Sequence, residues 1–289
     1  MHTWRNIFFF EGIISVLVGA YIFYILPNSP ETATFLTSEE KIVAVQRLHL
    51  DLKSIKMEAT NKKSFKRAIC NWNIWLISMA DFCALMTNYS MGLFLPSILV
   101  AMGYSGIHAQ LMSVPPFIWA ATVCVVVAVL SQRINRKGLW ILIVMPFTAA
   151  GFIVQLTAKT VAVKYFGLFF CLTGSFTAAP LILSWSVDNS AGQATRAISS
   201  GFVITFANCA GVLATWTYRV VDAPKYKTGH VLNLSFALLS LPLTVAAVCN
   251  LMRRNRNRAA GKEDYKLQGK SEEETADLGH EHPGFRFTL

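Results

Sequence analysis

The chain has 289 residues, 54% of them hydrophobic and only 15% charged, with a net charge of +10, whereas soluble domains are about 25% charged. A mean hydropathy of +0.44 and long runs without Asp, Glu, Lys or Arg exclude an ordinary soluble globule. The positive charge gathers between those runs, which reads as membrane flanking and gives no reason to expect a nucleic-acid partner.

The first apolar run, Asn6–Leu26, spans 21 residues, enough to cross a bilayer core, for which about 20 suffice. It is too long for a signal peptide. Glu11 interrupts it, and Pro27-Asn28-Ser29-Pro30-Glu31 follows where a small-residue cleavage site would stand. Arg5, at the same end, is the expected neutralising partner of Glu11, in a structural role.

Residues 27–72 form the longest polar insert between spans. Thr37-Ser38-Glu39-Glu40 is a capping-box start, and Ile42, Val45 and Leu48 share one face. The pattern predicts a short amphipathic helix to about Leu50, lying along the membrane surface or against the span ends. A second basic patch, Ser64–Cys70, leads into the next span.

Between Asp81 and Arg133 lie 51 uncharged residues. A straight helix of that length would overshoot the bilayer, so the run must hold two spans, with a turn at Gly103 and Gly106. Further uncharged runs are Gly138–Ala158, Tyr165–Val187, Ala197–Tyr218 and Thr228–Met252. The result is an all-α polytopic membrane protein with seven spans, at 4–26, 73–100, 109–131, 139–158, 163–187, 196–217 and 231–252. The domains read from this are a transmembrane helix (1–26), a cytosolic loop (27–72), a six-helix bundle (73–252) and a cytosolic tail (253–289) expected to be disordered apart from local contacts. Cys70, Cys83, Cys124, Cys171, Cys209 and Cys249 lack paired spacing and His partners, so they read as small apolar packers, not a disulfide or zinc framework.

Lys and Arg divide 20 to 6 between alternate sides, which assigns the loop, the 132–138 turn and the tail to the cytosol. Clusters such as Arg253, Arg254, Arg256 and Arg258 suit stop-transfer flanking and contact with anionic lipid. An odd number of spans leaves the N-terminus outside, an arrangement natural if upstream helices are missing.

Polar residues inside spans are costly and call for a cavity or a partner. Ser78, Asp81 and Asn88 fall on one helical face with Tyr89 beside them. Asp81 lies about 12 Å from the cytosolic end, dehydrated enough to serve as a proton-coupling group; a structural carboxyl is the competing reading. Thr173, Thr177, Ser184 and Asp188 form a second face, with Pro180 between them predicting a local bend. Gly201, Thr205, Asn208 and Thr215 form a third. Three such faces suggest a shared polar cavity, as in a transporter or channel. Pro115 and Pro116 predict a kink. Trp185 is a candidate for stacking on a ligand, interfacial anchoring being the commoner use.

Trp4-Arg5-Asn6-Ile7-Phe8 through Glu11-Gly12, then Leu26-Pro27-Asn28-Ser29-Pro30-Glu31-Thr32-Ala33, resembles the sixth helix and central loop of fungal allantoate-permease-type carriers. These belong to the anion:cation symporters of the major facilitator superfamily. The likeness continues through Leu93-Phe94-Leu95-Pro96, Ala109–Pro116, Asp222–Tyr226, Asp277–His280 and His282–Leu289. It implies the sixth of twelve helices followed by the C-terminal six-helix bundle. Ser131–Gly138 looks like the C-half copy of the family's basic loop, with Arg133 and Arg136, but without its leading acidic residue.

The resemblance further implies a secondary active transporter, a proton symporter of a small organic anion such as nicotinate, allantoate or a related vitamin carboxylate, in the plasma membrane. Its candidate substrate contacts here are Asn88, Tyr89, Trp185 and Asn208, with Asp81 for proton coupling. Glu11, Pro115, Pro116, Arg133, Arg136, Pro180 and Asp188 are gating or structural candidates. The expected partners are the anion, protons, membrane lipid and a missing N-terminal half, without which this part is expected to be inactive. No cofactor, metal or enzymatic site is expected. The alternative reading is a non-transporting sensor or partner subunit.

Overall fold

A computed structural model describes residues 3–54, 62–267, 269 and 279–289. Every regular element among them is helical, and seven helices are long and apolar enough to cross a membrane. The chain divides into two compact units, Met1–Lys56 and Met57–Leu289.

The first unit holds α1 (Thr3–Ile25) and α2 (Ser38–Ser54). Helix α1 is apolar all round, and none of its core window is buried. Glu11 is exposed, and its carbonyl accepts the Ser15 hydroxyl at 2.8 Å. The expected capping box is formed at α2. The Thr37 amide and hydroxyl donate to one Glu40 carboxylate oxygen at 3.0 and 2.9 Å, and the Glu40 amide donates back to the Thr37 hydroxyl at 3.4 Å. Both hydrogen bonds favour the ionised carboxylate and hold Glu40 below the usual glutamate range. The helix runs four residues past the expected Leu50.

In the second unit, α3 (Lys62–Ile69) leads into six spans. These are α4 (Trp72–Ala101), α5 (Gly106–Ile134), α6 (Lys137–Thr157), α7 (Val161–Asp188), α8 (Gln193–Ala214) and α9 (Lys227–Ala259). Asn71 caps α4, its side-chain oxygen accepting the Asn73 amide at 3.2 Å, while the Trp75 indole donates to the Ile69 carbonyl at 2.8 Å and ties α3 to the span. The predicted break in the 51-residue run is present. Gly103 has φ +104°, a conformation side chains disfavour, and Ser105 precedes the first turn of α5. Asn135, also left-handed, ends α5 and leaves two residues to turn the chain into α6.

Helices α4 and α7 are central. Helix α4 packs on α5, α7, α8 and α9, and α7 on α4, α5, α6 and α8. The inner end, where α4 begins and which the charge count assigns to the cytosol, is filled by Ile77, Met145, Trp185 and Leu251. The outer end is filled by Met91, Leu95, Phe152 and Leu168. Helices α6 and α7 approach closely because glycines face the seam. A side-chain carbon at Gly167 would sit 2.8 Å from Val154 Cγ1, and one at Gly151 2.7 Å from the Cys171 sulfur. One at Gly174 would collide with the Thr148 hydroxyl and the Val144 carbonyl.

Helix α9 extends seven residues past the expected Met252, into the segment expected to be a disordered tail. Residues 285–289 are docked on the inner end, with Phe287 only 4% exposed. Asn255 accepts the Phe287 amide at 2.9 Å and donates to its carbonyl at 2.8 Å. Asn189 on α7 treats Thr288 likewise, at 2.9 and 3.1 Å. The Arg254 and Arg258 guanidinium carbons lie 4.5 Å from the Phe287 ring centre. Two asparagines and an aromatic anchor therefore order a segment whose composition reads as polar tail. The motif residues Asp277 and Leu278 lie outside the described residues.

Candidate functional site

Helix α8 is two-faced. Val203, Ala207, Ala210 and Ala214 are fully buried against the bundle, and small residues there let α4 and α8 approach. Gly201, Thr205, Asn208 and Thr215, the polar face expected from the sequence, are all exposed. That stripe points away from the bundle's own core. Near mid-span it meets α4, where the Tyr89 phenol donates a short hydrogen bond to the Asn208 carboxamide oxygen. The Asn208 amide nitrogen donates to the Ile204 carbonyl at 2.7 Å, and Gly211, one turn on, leaves the Tyr89 ring room to lie flat against the helix. Tyr89 and Asn208 are thus brought together.

The other expected residues are distributed differently. Asn88 is half-buried and its amide donates to the Ser175 carbonyl of α7 at 3.3 Å. Asp81 is 3% exposed, and its Oδ1 has no hydrogen-bond partner among the described residues. Neighbouring Ser78 is fully buried and donates to the Ile74 carbonyl at 2.7 Å. Asp81 is therefore inside the bundle and not on its outward polar stripe.

The α7 face is turned inward too, which corrects the picture of three faces around one passage within this bundle. Thr177 is fully buried, and Thr173 accepts the Trp119 indole of α5 at 2.9 Å. Asp188 forms a close ion pair with Lys137 at the start of α6, and Ser184 accepts from the same ammonium at 2.5 Å. Lys137 is only 5% exposed. The sequence reading counted it as a loop charge and missed it as a partner. The available signal was a basic residue opening one span and an acidic residue closing another at the same membrane side.

Trp185 is also corrected as a ligand-stacking residue. It is fully buried at the inner end, and its indole donates to the Thr288 carbonyl at 2.8 Å. The docked segment covers the face a ligand would need. Arg133 and Arg136 are exposed at the α5–α6 turn. Helix α5 is unbroken through Pro115 and Pro116, as is α7 through exposed Pro180. A buried polar cluster at the outer end was not anticipated. There the Tyr218 phenol is 3.1 Å from His230 Nδ1 and 3.4 Å from the Asn233 amide nitrogen.

Long apolar helices packed through small residues, with a polar stripe left on the outside, define an integral multi-pass membrane protein of the helix-bundle class. The chain belongs to the Major Facilitator Superfamily, whose family profile matches residues 1–215. An uncharacterized transporter of Schizosaccharomyces pombe is 30% identical over 303 residues, covering 100% of this chain and 58% of that protein. The major facilitator-type transporter hxnP of Emericella nidulans is 27% identical, with 99% of this chain and 58% of that protein covered. The high-affinity nicotinic acid transporter of Saccharomyces cerevisiae is 26% identical, with 90% and 49% covered. The chain thus spans about half the length of the relatives it matches. These relatives are transporters by name and not enzymes, in line with the reading of the sequence.

Proposed function

We propose that this bundle is one wall of a secondary active transporter for a small organic anion such as nicotinate or allantoate, moved by proton symport across the plasma membrane. The observation that carries the reading is the outward stripe of α8. Lipid offers no hydrogen bonds to the exposed Thr205 hydroxyl or to the amide hydrogen that Asn208 has left after the Ile204 carbonyl, so this mid-span stripe calls for an aqueous passage and a facing wall. An N-terminal six-helix half, for which α1 would be the sixth helix and 27–72 the connecting loop, supplies that wall. Alternating access then rocks the two halves about a midplane site.

Asn208 would offer the anion its second amide hydrogen, and Tyr89 its phenol proton once that proton leaves the Asn208 oxygen. No Lys or Arg lies deep in these spans, so any cation for the carboxylate comes from the facing half. Asp81 is the proton-coupling group, its unsatisfied oxygen being the feature that supports the role. The name of the yeast nicotinic acid transporter supports the choice of nicotinate as first substrate.

Uptake of labelled nicotinate and allantoate in yeast tests this. Cells with this chain alone should show none, and cells co-expressing it with the N-terminal half of a relative should regain it. Asn208→Leu should then abolish uptake without changing membrane abundance. Uptake by the chain alone, or full uptake by the Asn208→Leu form, refutes the reading.

A further inference from the structure

At the inner end a cavity of about 500 Å³ opens between α3, the first turn of α4 and the end of α9, within the size range of small-ligand sites. It is separate from the α8 stripe. Among the described residues, Lys66, Arg67 and Arg254 supply three cations to its walls, and Glu281 is the one carboxylate on its rim. Asn73 lies in its lining, 2% exposed. The Asn73 oxygen accepts the Asn250 amide at 2.7 Å, while its own amide nitrogen has no partner among the described residues. Beside the opening, Trp72 is 68% exposed, placed as an interfacial aromatic would be.

We propose that this pocket binds a phosphate group, presented by a phosphorylated lipid headgroup of the inner leaflet. Three observations converge on that chemistry. Among the described lining residues the cations exceed the acids, which favours an anion. A buried amide donor is left unmatched, and unmatched buried donors are uncommon. The pocket opens at the level where an interfacial tryptophan and the ends of two spans meet, the depth of headgroups; basic pockets between spans on this side suit anionic lipids. Glu281 is the acid a phosphate would meet there: its carboxylate is 3.8 Å from Arg67 Nε and its side chain is 46% exposed.

Native mass spectrometry of the purified chain, titrated with phosphatidylinositol 4-phosphate, phosphatidylcholine or soluble inositol trisphosphate, tests the site and its source. The expected result is selective retention of the phosphorylated lipid. Lys66→Ala, at an exposed position, should weaken retention about fivefold, the worth of one cation near a membrane surface. Asn73→Asp keeps the acceptor for Asn250 but replaces the donor, and should weaken it further. Glu281→Gln should strengthen it. Binding of inositol trisphosphate as tight as the lipid's, with the same variant pattern, supports the phosphate site and overturns the lipid source. Equal retention of all lipids, or a parent-like affinity in both Lys66→Ala and Asn73→Asp when their melting temperatures match the parent, overturns the proposal.

Discussion

The α6–α7 seam and the α4–α8 seam are both built from small residues, yet they do opposite things. Along α6–α7, Gly151, Gly167 and Gly174 bring two backbones together so closely that a methyl group has no room. Along α4–α8 the alanines of α8 do the packing, and the helix's other face carries threonine, asparagine and glycine outward. The first seam holds the bundle together. The second turns polar groups outward, with Asn208 held by the Tyr89 phenol and the Ile204 carbonyl and Thr215 by the Val212 carbonyl.

The contrast can be broken from the packing side first. Gly174→Val should cost about 3 kcal/mol or more, because the obstacle includes the Val144 carbonyl, which cannot swing aside. Loss of a cooperative melt in detergent would be its sign; a parent-like melt would remove the distinction between the seams. The Lys137–Asp188 pair, which also joins α6 to α7, should respond unequally. Asp188→Asn leaves an ammonium whose side chain is 6% exposed and should cost about 2 kcal/mol, below the usual penalty for a fully buried pair. Lys137→Met leaves a carboxylate that is 34% exposed and should cost less than about 1 kcal/mol. Equal melting shifts would show that the pair is screened on both sides.

On the polar seam the order of effects reverses. Tyr89→Phe removes one interhelical hydrogen bond, worth about 0.6 kcal/mol in a membrane, so the melt should barely move. Uptake by the reconstituted transporter should fall about tenfold. A large loss of stability with unchanged uptake would make the α4–α8 contact structural and erase the comparison.

The smallest effect lies outside the bundle, at the start of α2. Glu40 is held below its ordinary pKa of 4.5 by the Thr37 hydrogen bonds. The stabilisation is therefore present above that value and lost as pH falls through the lower folded-state value. Amide protection of residues 38–41, corrected for intrinsic exchange, should drop in acid in the parent and be insensitive to pH in Glu40→Gln.

The seven spans were legible because charge-free runs and their flanks are local properties, and the α2 cap was legible for the same reason. What was hidden depended on distant neighbours. Trp185 looked available until Thr288, 103 residues later, covered it. Asn88 shares a helical face with Asp81, but its partner is a carbonyl on α7. Arg254 and Arg258 read as stop-transfer flanking or lipid contacts, whereas they continue α9 and pack on Phe287. The glycines of α6 and α7 are visible in the chain, but which of them meet is settled by helix rotation. Tyr89 and Asn208 meet because Asn208 lies on the exposed face of α8 within reach of the Tyr89 phenol on α4.

The glycine seam also bears on how the protein is made. Only Ala158–Thr160 separate α6 from α7, so their contacts close a very short loop, at little entropic cost. The pair can therefore zip into a stable hairpin as soon as α7 clears the insertion machinery, before α8 and α9 have been synthesised. A nascent chain stalled after α7 has emerged but while α8 is still inside the ribosome should already protect Gly151 and Gly174, whereas the α4–α8 contact must await the later helix.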